Sequence, residues 1–331
     1  MCSIKRSLLL AAAAALYLGE AAIGHAQTSS AQTYPDHPVR VIISFAPGGG
    51  ADLVARTVAA KLQESMGKPF IVENRPGGNG GSVGVETVVR SAPDGYTLLL
   101  TPNGPISIAS HLQKPSYDVL KDLTPVGMAA FAGSGIAVPV SLPVKTISDL
   151  VKASKETPKG FSYGHTGVGT QGHLAGEMLR TMTGANLTGV AYKGNSPTVA
   201  ALLSSETQLA ISDLVSLLPH VEQGKLRLIA VTNSSRQSIV PNVPTVAEQG
   251  YPDYSADAWA GMFAPANTPA DVIKRLNAAL GQAMQLPDVR KTFANLGMDA
   301  TSMTPDAMRK FVMQDYARWG QVIKSANITS D

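Results

Sequence analysis

Residues 39–52 read VRVIISFAPGGGAD, and this stretch decides the fold class of the chain. Val39–Phe45 has the apolar, β-branched composition of a buried strand, and the glycine-rich Pro47–Gly50 follows it at once. Apolar side chains then recur at helical spacing as far as Met66, and Gly67 ends the pattern. A strand, a tight turn and a helix in this order form one βα unit, which predicts an α/β fold with mainly parallel strands.

Short apolar segments alternate with helical patterns along most of the chain, as an α/β fold requires. Further strands are predicted at Phe70–Val72, Thr97–Leu100, Gly135–Val140, Gly160–Tyr163, Thr207–Ile211 and Leu226–Val231. A chain of 331 residues with 44% hydrophobic content is long enough to build two cores.

The pattern after Trp259 is predicted to be helical. Thr268 before Pro269 and Thr304 before Pro305 each place a capping side chain ahead of a proline at the first helical position. Helices without strands of their own must cover a sheet that is built elsewhere, so we expect them to return to the first lobe. The predicted lobes are therefore a discontinuous first lobe, 34–134 and 258–331, and a second lobe, 135–257.

The amino terminus, residues 1–26, is predicted to be a secretory signal peptide. Lys5 and Arg6 precede an alanine- and leucine-rich run from Leu8 to Leu18, which is too short to span a bilayer, and small residues follow it. We therefore expect export, cleavage of this segment and no permanent membrane anchor. The single cysteine, Cys2, lies within it, so the mature chain is predicted to lack disulfides and thiolate metal sites.

Composition and motifs argue against nucleic-acid binding and against catalysis. The formal net charge is +3, aromatic residues make up 5%, and the basic residues are dispersed, so neither a phosphate-binding groove nor a stacking platform is predicted. Residues 80–84 and 160–164 match the letters G-x-S-x-G, but the first match follows a glycine-rich stretch and the second lies in a predicted strand, so neither has the strand-turn-helix context of a nucleophile elbow. No Lys-Ser or Lys-Thr follows the glycines at 48–50. We therefore predict that the protein is not an enzyme and holds no cofactor and no metal.

The loop after the first strand is the first candidate binding site. Glycines allow several backbone amides to point at one spot, and a helix N-terminus adds about half a positive charge, which together make an anion site without a charged side chain. The alternative is an ordinary βα turn whose glycines serve geometry alone. The candidate residues are Phe45, Pro47, Gly48, Gly49, Gly50, Ala51 and Asp52.

A second loop of the same kind runs from the strand near Tyr163 into a helix. Its candidate residues are His165, Thr166, Gly167, Gly169, Thr170 and His173. Thr170 is the predicted N-cap, and His173 is either a neutral donor to an anion or a histidine that hydrogen-bonds the loop for structural reasons.

Four residues in other loops are predicted to complete the cleft: Asn103, Tyr192, Ser212 and Asp213. Asn103 is expected to donate its amide to a ligand oxygen, Tyr192 to form a wall, and Asp213 to hold a ligand amine or a water molecule. Each also has an ordinary structural alternative, since asparagine before glycine is a turn residue and tyrosine is often half-buried.

These loops occur together with other short blocks in an order that resembles the periplasmic receptors of tripartite tricarboxylate transporters, the Bug family. The matching blocks cover most of the chain beyond the signal peptide. They are Phe45–Asp52, Glu73–Gly78, Pro93–Leu99, Lys121–Val126, Gly167–Glu177, Tyr192–Gly194, Ala230–Thr232, Val243–Thr245 and Ala264–Pro265. Two positions depart from the family pattern, namely Ser44, where proline is usual, and the segment 210–214.

The resemblance implies a two-lobed periplasmic binding protein of the type II-like class. Each lobe would be a mainly parallel sheet flanked by helices, with the ligand in the cleft between the lobes. It implies a monomeric receptor that captures a small carboxylate by lobe closure and delivers it to the integral-membrane permease subunits of a secondary transporter. The ligand classes left open are di- or tricarboxylates, aromatic acids and acidic amino acids. The alternatives are a ligand-presenting sensor for a membrane kinase and a hydrolase acting on a small acid.

Overall fold

Two β-sheets organise the described part of the computed structural model, which covers residues 34–78, 81–113 and 115–329. The predicted signal peptide lies outside these residues. The first part of the chain forms β1 (Val39–Ile43), α1 (Gly50–Met66), β2 (Phe70–Asn74), α2 (Ser82–Val89), β3 (Thr97–Pro102), a π-helical turn (Gly104–Ile108), α3 (Ala109–Leu112), α4 (Val119–Asp122) and β4 (Leu123–Ala132).

The middle and final parts contribute the remaining helices and strands. The middle part forms β5 (Ser134–Pro139), α5 (Ile147–Glu156), β6 (Phe161–His165), α6 (Gln171–Thr183), β7 (Leu187–Ala191), α7 (Asn195–Leu203), β8 (Leu209–Asp213), α8 (Leu214–Glu222) and β9 (Leu226–Val231). The final part forms a 3-10 turn (Ala247–Gln249), β10 (Ala258–Pro265), α9 (Ala270–Ala283), α10 (Pro287–Ala294), β11 (Met298–Ala300) and α11 (Pro305–Ser325).

The first sheet has the strand order β11-β4-β10-β3-β1-β2, and the second has the order β7-β6-β8-β5-β9. In the first sheet β1 is parallel to β2 and β3, whereas β10 is antiparallel to β3 and β4. In the second sheet β6 is parallel to β7 and β8, whereas β5 is antiparallel to β8 and β9. The two-lobed α/β architecture is confirmed, but both sheets are mixed instead of mainly parallel.

The mixed pairing follows from the way the chain crosses between the sheets. It leaves the first sheet at the end of β4 and enters the second at the start of β5, with only Gly133 between them. It re-enters the first sheet through β10, from the border that β4 left, so β10 must run against β4. For the same reason β5 runs against β8, and Ser134 at its start pairs with Asp213 at the end of β8.

These directions place the candidate loops at the border between the sheets. The strands β1, β3 and β4 run the same way, so their carboxyl ends share the edge from which the chain crosses. The carboxyl ends of β6 and β8 share the facing edge of the second sheet. Ser44, Asn103, His165 and Asp213 therefore lie at two sheet edges that meet at the crossover, which is where open α/β sheets bind ligands.

Helix α11 packs against both sheets. Met308 and Val312 join Trp259 and Phe263 in the apolar core of the first sheet, whereas Trp319 belongs with the core of the second. A helix of 21 residues is about 30 Å long, so it is able to reach both. The tail was expected to cover the first lobe, and its last turns instead complete the core of the second.

Candidate functional site

Asp52, the third residue of α1, holds the first candidate loop in place. The Gly48 amide donates to Asp52 Oδ2 at 3.0 Å, and Asn74 donates to Asp52 Oδ1 at 2.9 Å and to the Phe45 carbonyl at 3.0 Å. Arg56 donates to Asp52 Oδ2 at 2.9 Å. Asp52 is only 5% exposed, and both its oxygens have protein donors. This side chain therefore shapes the loop, and the backbone is left to meet a ligand.

The neighbours of Asp52 keep it charged. The Arg56 guanidinium lowers the pKa of the Asp52 carboxyl to about 2, against the opposing effect of burial. Arg56 also donates to Asn74 Oδ1 at 3.1 Å, which links the three side chains. Sequence reasoning missed both residues. The position of Asn74 depends on the pairing of β1 with β2, in which Ile43 lies opposite Asn74, whereas Arg56 is four residues after Asp52 on the same helix, a spacing that the sequence shows.

The N-terminus of α1 is open. Its N-cap, Gly49, offers no side-chain acceptor. The first backbone hydrogen bond at this end of the helix runs from the Leu53 amide to the Gly49 carbonyl, at 3.1 Å. Within the described residues, the amides of Gly50 and Ala51 have no acceptor. These free donors at the positive end of a 17-residue helix form a surface suited to a carboxylate.

The backbone geometry of this loop requires glycine at position 48. Gly48 has φ +86°, in the left-handed region, whereas Gly49 has φ −83° and an extended conformation that any residue adopts. A β-carbon on Gly49 would meet no atom within 4 Å. Phe45, the aromatic residue of the loop, is partly exposed beside these glycines.

Thr170 caps the second loop. Its hydroxyl donates to the Gly167 carbonyl at 2.7 Å and accepts from Thr166 Oγ1 at 3.1 Å and from the His173 amide at 3.5 Å. The prediction of Thr170 as N-cap of α6 is confirmed. Its oxygen is engaged by the loop itself, whereas the amides of Gln171 and the following Gly172 have no acceptor within the described residues.

Two histidines stack beneath this loop and are held neutral. The rings of His165 and His173 have centroids 4.3 Å apart at an angle of 20°. Burial, assisted by His173, lowers the pKa of His165 to about 4, and burial also lowers the pKa of His173. The Gly169 amide donates to His173 Nδ1 at 3.1 Å, so this nitrogen carries no proton and the Nε2 of a neutral ring carries it.

Asn103 joins the first lobe to α6 and to the strand that returns from the second lobe. Its Nδ2 donates to Gln171 Oε1 at 3.0 Å and to the Asp257 carbonyl at 3.3 Å, and Gln171 Nε2 donates to the Ala256 carbonyl at 2.8 Å. Backbone carbonyls only accept, which fixes the orientation of both side-chain amides. Both N–H groups of Asn103 are thus occupied, and its Oδ1 has no donor among residues 34–78, 81–113 and 115–329. Asn103 was expected to donate, and the group it offers is an acceptor.

Ser212 and Asp213 share one partner, Asn195. The Ser212 hydroxyl donates to Asn195 Oδ1 at 2.8 Å, and Asn195 Nδ2 donates to Asp213 Oδ2 at 2.6 Å. Ser212 is buried, whereas Asp213 is exposed at the end of β8. Asn195 was not among the predicted site residues. Its role depends on the approach of α7 to β8, which no local pattern reveals.

Tyr192 follows β7 and lies above Gly164. A β-carbon on Gly164 would be 3.3 Å from the Tyr192 ring. The Tyr192 hydroxyl donates to Glu206 Oε1 at 2.7 Å, and this contact raises the pKa of Tyr192 to about 12 together with desolvation, the larger cause. Because Glu206 precedes β8, the hydroxyl is held near the start of that strand, and only the ring is available to line a cleft.

The described residues contain neither a candidate metal cluster nor a helix that could span a membrane. Among residues 34–78, 81–113 and 115–329, no group of three His, Cys, Asp or Glu side chains is arranged to hold a metal ion. No helix in the same ranges is both long and apolar enough to cross a bilayer.

A known protein family matches most of this chain. A model described as the tripartite tricarboxylate transporter family receptor matches residues 54–328. Protein BugT of Bordetella pertussis is 36% identical over 307 residues, which cover 92% of this chain and 94% of BugT.

Two solved structures are similar over nearly the same length. A protein from R. palustris with adipate is 31% identical, covers 89% of this chain and 99% of its own, and has a TM-score of 0.71. MatC from Rhodopseudomonas palustris with bound malate is 29% identical, covers 88% of this chain and 100% of its own, and has a TM-score of 0.66.

Proposed function

Because this chain belongs to the tripartite tricarboxylate transporter receptor family, we propose that it captures a small carboxylate between its two lobes and delivers it to a membrane permease. The family consists of periplasmic solute-binding receptors. We further propose that the signal peptide at residues 1–26 directs export, that the receptor acts as a monomer, and that the ligand is released without chemical change.

The open N-terminus of α1 is the observation that carries this proposal. Asp52 holds Gly48 and thereby orients the loop, and the free amides of Gly50 and Ala51 meet the ligand. Across the border, the amides of Gln171 and Gly172 at the start of α6 supply donors from the second lobe. A carboxylate that bonds to both sets is held only when the lobes are closed, which couples binding to closure.

The number of available donors matches the affinity that a receptor needs. Hydrogen bonds to a charged group contribute about 1.5–3 kcal/mol each, and micromolar binding requires about 8 kcal/mol. Four such bonds contribute about 6–12 kcal/mol, a range that includes the required free energy and whose upper part also covers a cost of closure. Two related structures contain the dicarboxylates adipate and malate, which supports a carboxylate as the ligand class.

A thermal-shift screen on protein purified from a periplasmic extract tests the proposal. The panel contains adipate, malate, citrate, glutamate and benzoate, with succinamide as a control that lacks a carboxylate. A true ligand at one hundred times its Kd stabilises the protein by about 2.7 kcal/mol, so its melting temperature should rise clearly. Each solution is then analysed by NMR for product. The proposal fails if no carboxylate stabilises the protein, or if the stabilising compound is consumed.

A further inference from the structure

We propose that Asp213 and Asn103 make the site prefer carboxylates that also carry a hydrogen-bond donor, a hydroxyl or an ammonium group, on the carbon chain. This inference rests on the proposed function and narrows its ligand class. At the border between the lobes, the backbone amides at the helix N-termini are hydrogen-bond donors, whereas the side chains of Asp213 and Asn103 offer acceptors.

The Asp213 carboxylate is fixed and only partly used. It occupies the N-cap position of α8 but makes no side-chain cap, and its Oδ2 instead accepts from Asn195 at 2.6 Å. Asn195 in turn is oriented by the Ser212 hydroxyl, which donates to its Oδ1 at 2.8 Å. Within the described residues, Asp213 Oδ1 has no donor. One acceptor oxygen is therefore held in position and remains available.

Asp213 lies at the border between the lobes, where protein atoms surround part of its carboxylate. Its side chain is exposed to solvent, and desolvation by nearby protein atoms nevertheless raises the pKa of its carboxyl, with the Asn195 hydrogen bond opposing. Two residues further on, Val215 packs against the first lobe, since a β-carbon on Gly297 would lie 2.5 Å from Val215 Cγ2. A carboxylate that is accessible but poorly hydrated gains from a donor on a bound molecule.

Asn103 adds a second acceptor from the first lobe. Both of its N–H groups are bonded, one to Gln171 and one to the Asp257 carbonyl, so its Oδ1 is the group left for a ligand. Asn103 is buried at the end of β3, and Asp213 ends β8 on the facing edge. A donor on the carbon chain satisfies these acceptors, whereas a second unprotonated carboxylate near Asp213 is repelled.

A series of three four-carbon acids tests the inference on the full receptor. Succinate has no donor on its chain, L-malate adds a hydroxyl and L-aspartate adds an ammonium group. Calorimetry at pH 7.5 should show L-malate and L-aspartate binding about tenfold or more tighter than succinate, the difference that one charged hydrogen bond produces. Succinate binding as tightly as both other acids would overturn the inference while leaving the proposed function intact. Absence of binding by all three, and by the wider carboxylate panel, would instead refute the proposed function.

Single-residue variants test whether Asp213 causes the preference for L-aspartate over succinate. Asp213→Asn should reduce the preference for L-aspartate over succinate to about threefold or less, because the change removes the charge that attracts the ammonium group, the only group by which the two acids differ. Glu222→Gln removes the same charge from the far end of α8 and should keep the full preference. Asn195→Ala, which frees Asp213 without removing it, should give an intermediate value. Ligand-free melting curves establish that each variant is folded. A preference that survives in folded Asp213→Asn contradicts the assignment.

Discussion

At the level of single residues, the two glycines at the centre of the first loop differ in what they require. Gly48 has φ +86°, a conformation that costs a residue with a β-carbon about 1–2 kcal/mol. Gly49 has φ −83° and open space around it. Gly48→Ala should therefore abolish most of the ligand-induced stabilisation, whereas Gly49→Ala should keep it. Calorimetry with a carboxylate identified in the screen measures both.

The reverse result for Gly48→Ala and Gly49→Ala would contradict this prediction. If Gly49→Ala loses binding while Gly48→Ala keeps it, the loop that meets the ligand has a different backbone from the one described. Circular dichroism of both variants without ligand separates lost binding from lost folding, because a strained loop is also able to unfold the lobe.

The buried histidine pair predicts a loss of stability in mild acid. Burial lowers the pKa of His165 from 6.5 to about 4, so the unfolded chain takes up a proton before the folded one does. His165 therefore does not reduce the unfolding free energy above pH 6.5, and it reduces this free energy progressively as the pH falls towards 4. This reduction amounts to about 3 kcal/mol, at 1.36 kcal/mol for each unit of pKa.

The variant His165→Gln isolates this effect. The raised pKa values of Asp213 and Asp315 act in the opposite direction as the pH falls, so the quantity to measure is the difference in unfolding free energy between wild type and variant. That difference should shrink between pH 7 and pH 4.5. A difference independent of pH would show that His165 is not held neutral. The Asp52 carboxylate, with a pKa of about 2, contributes only below this range.

Residue roles could be predicted from the sequence where the cause is local. Thr170 was identified as a cap because its type and its place before a helix are sufficient. The role of Asn103 was not predictable, because its two acceptors belong to residues 68 and 154 positions away. The contacts of Asp52 with Gly48 and with Arg56 are local, but nothing in the sequence shows that Asn74 completes them.

At the level of elements, the two helices that begin at the site differ in their N-termini. Helix α1 has no side-chain cap, whereas α6 has Thr170, whose hydroxyl bonds within its own loop. Thr170→Val should therefore lower the unfolding free energy by about 1 kcal/mol while changing carboxylate affinity by about twofold or less. Thermal unfolding and calorimetry on the same preparation give the two numbers. A loss of affinity well beyond twofold at unchanged stability would show that the hydroxyl contacts the ligand.

Element boundaries were predictable where caps are local and less so elsewhere. Thr304 caps α11 with Pro305 as its first residue, as the sequence indicates. The equivalent pair is Thr268 and Pro269, but here the helix begins one residue later than predicted and Pro269 is its N-cap. The Thr268 hydroxyl donates to the Pro265 carbonyl and does not cap the helix. Strand directions were not predictable, since the reversal of β5 and β10 arises from the crossings and not from any property of these segments.

At the level of the whole molecule, the lobes are joined by more than the crossing strands. Helix α11 contributes to both cores, and Asn103 with Gln171 forms a polar link beside the site. The proposed closure would therefore have to keep or remake these contacts. This arrangement was beyond sequence reasoning, because the apolar pattern of α11 shows which residues are buried but not which core receives them.

Hydrogen exchange tests capture between the lobes most directly. Amide exchange is measured by mass spectrometry for the whole receptor, with and without a saturating carboxylate, and peptides covering residues 45–52 and 166–173 are compared. Both segments should slow together on ligand addition, because one carboxylate accepts from the amides of both loops, while α9 and α10 should be unchanged. Protection confined to one of the two segments, or absent from both while the ligand is bound, would contradict the account.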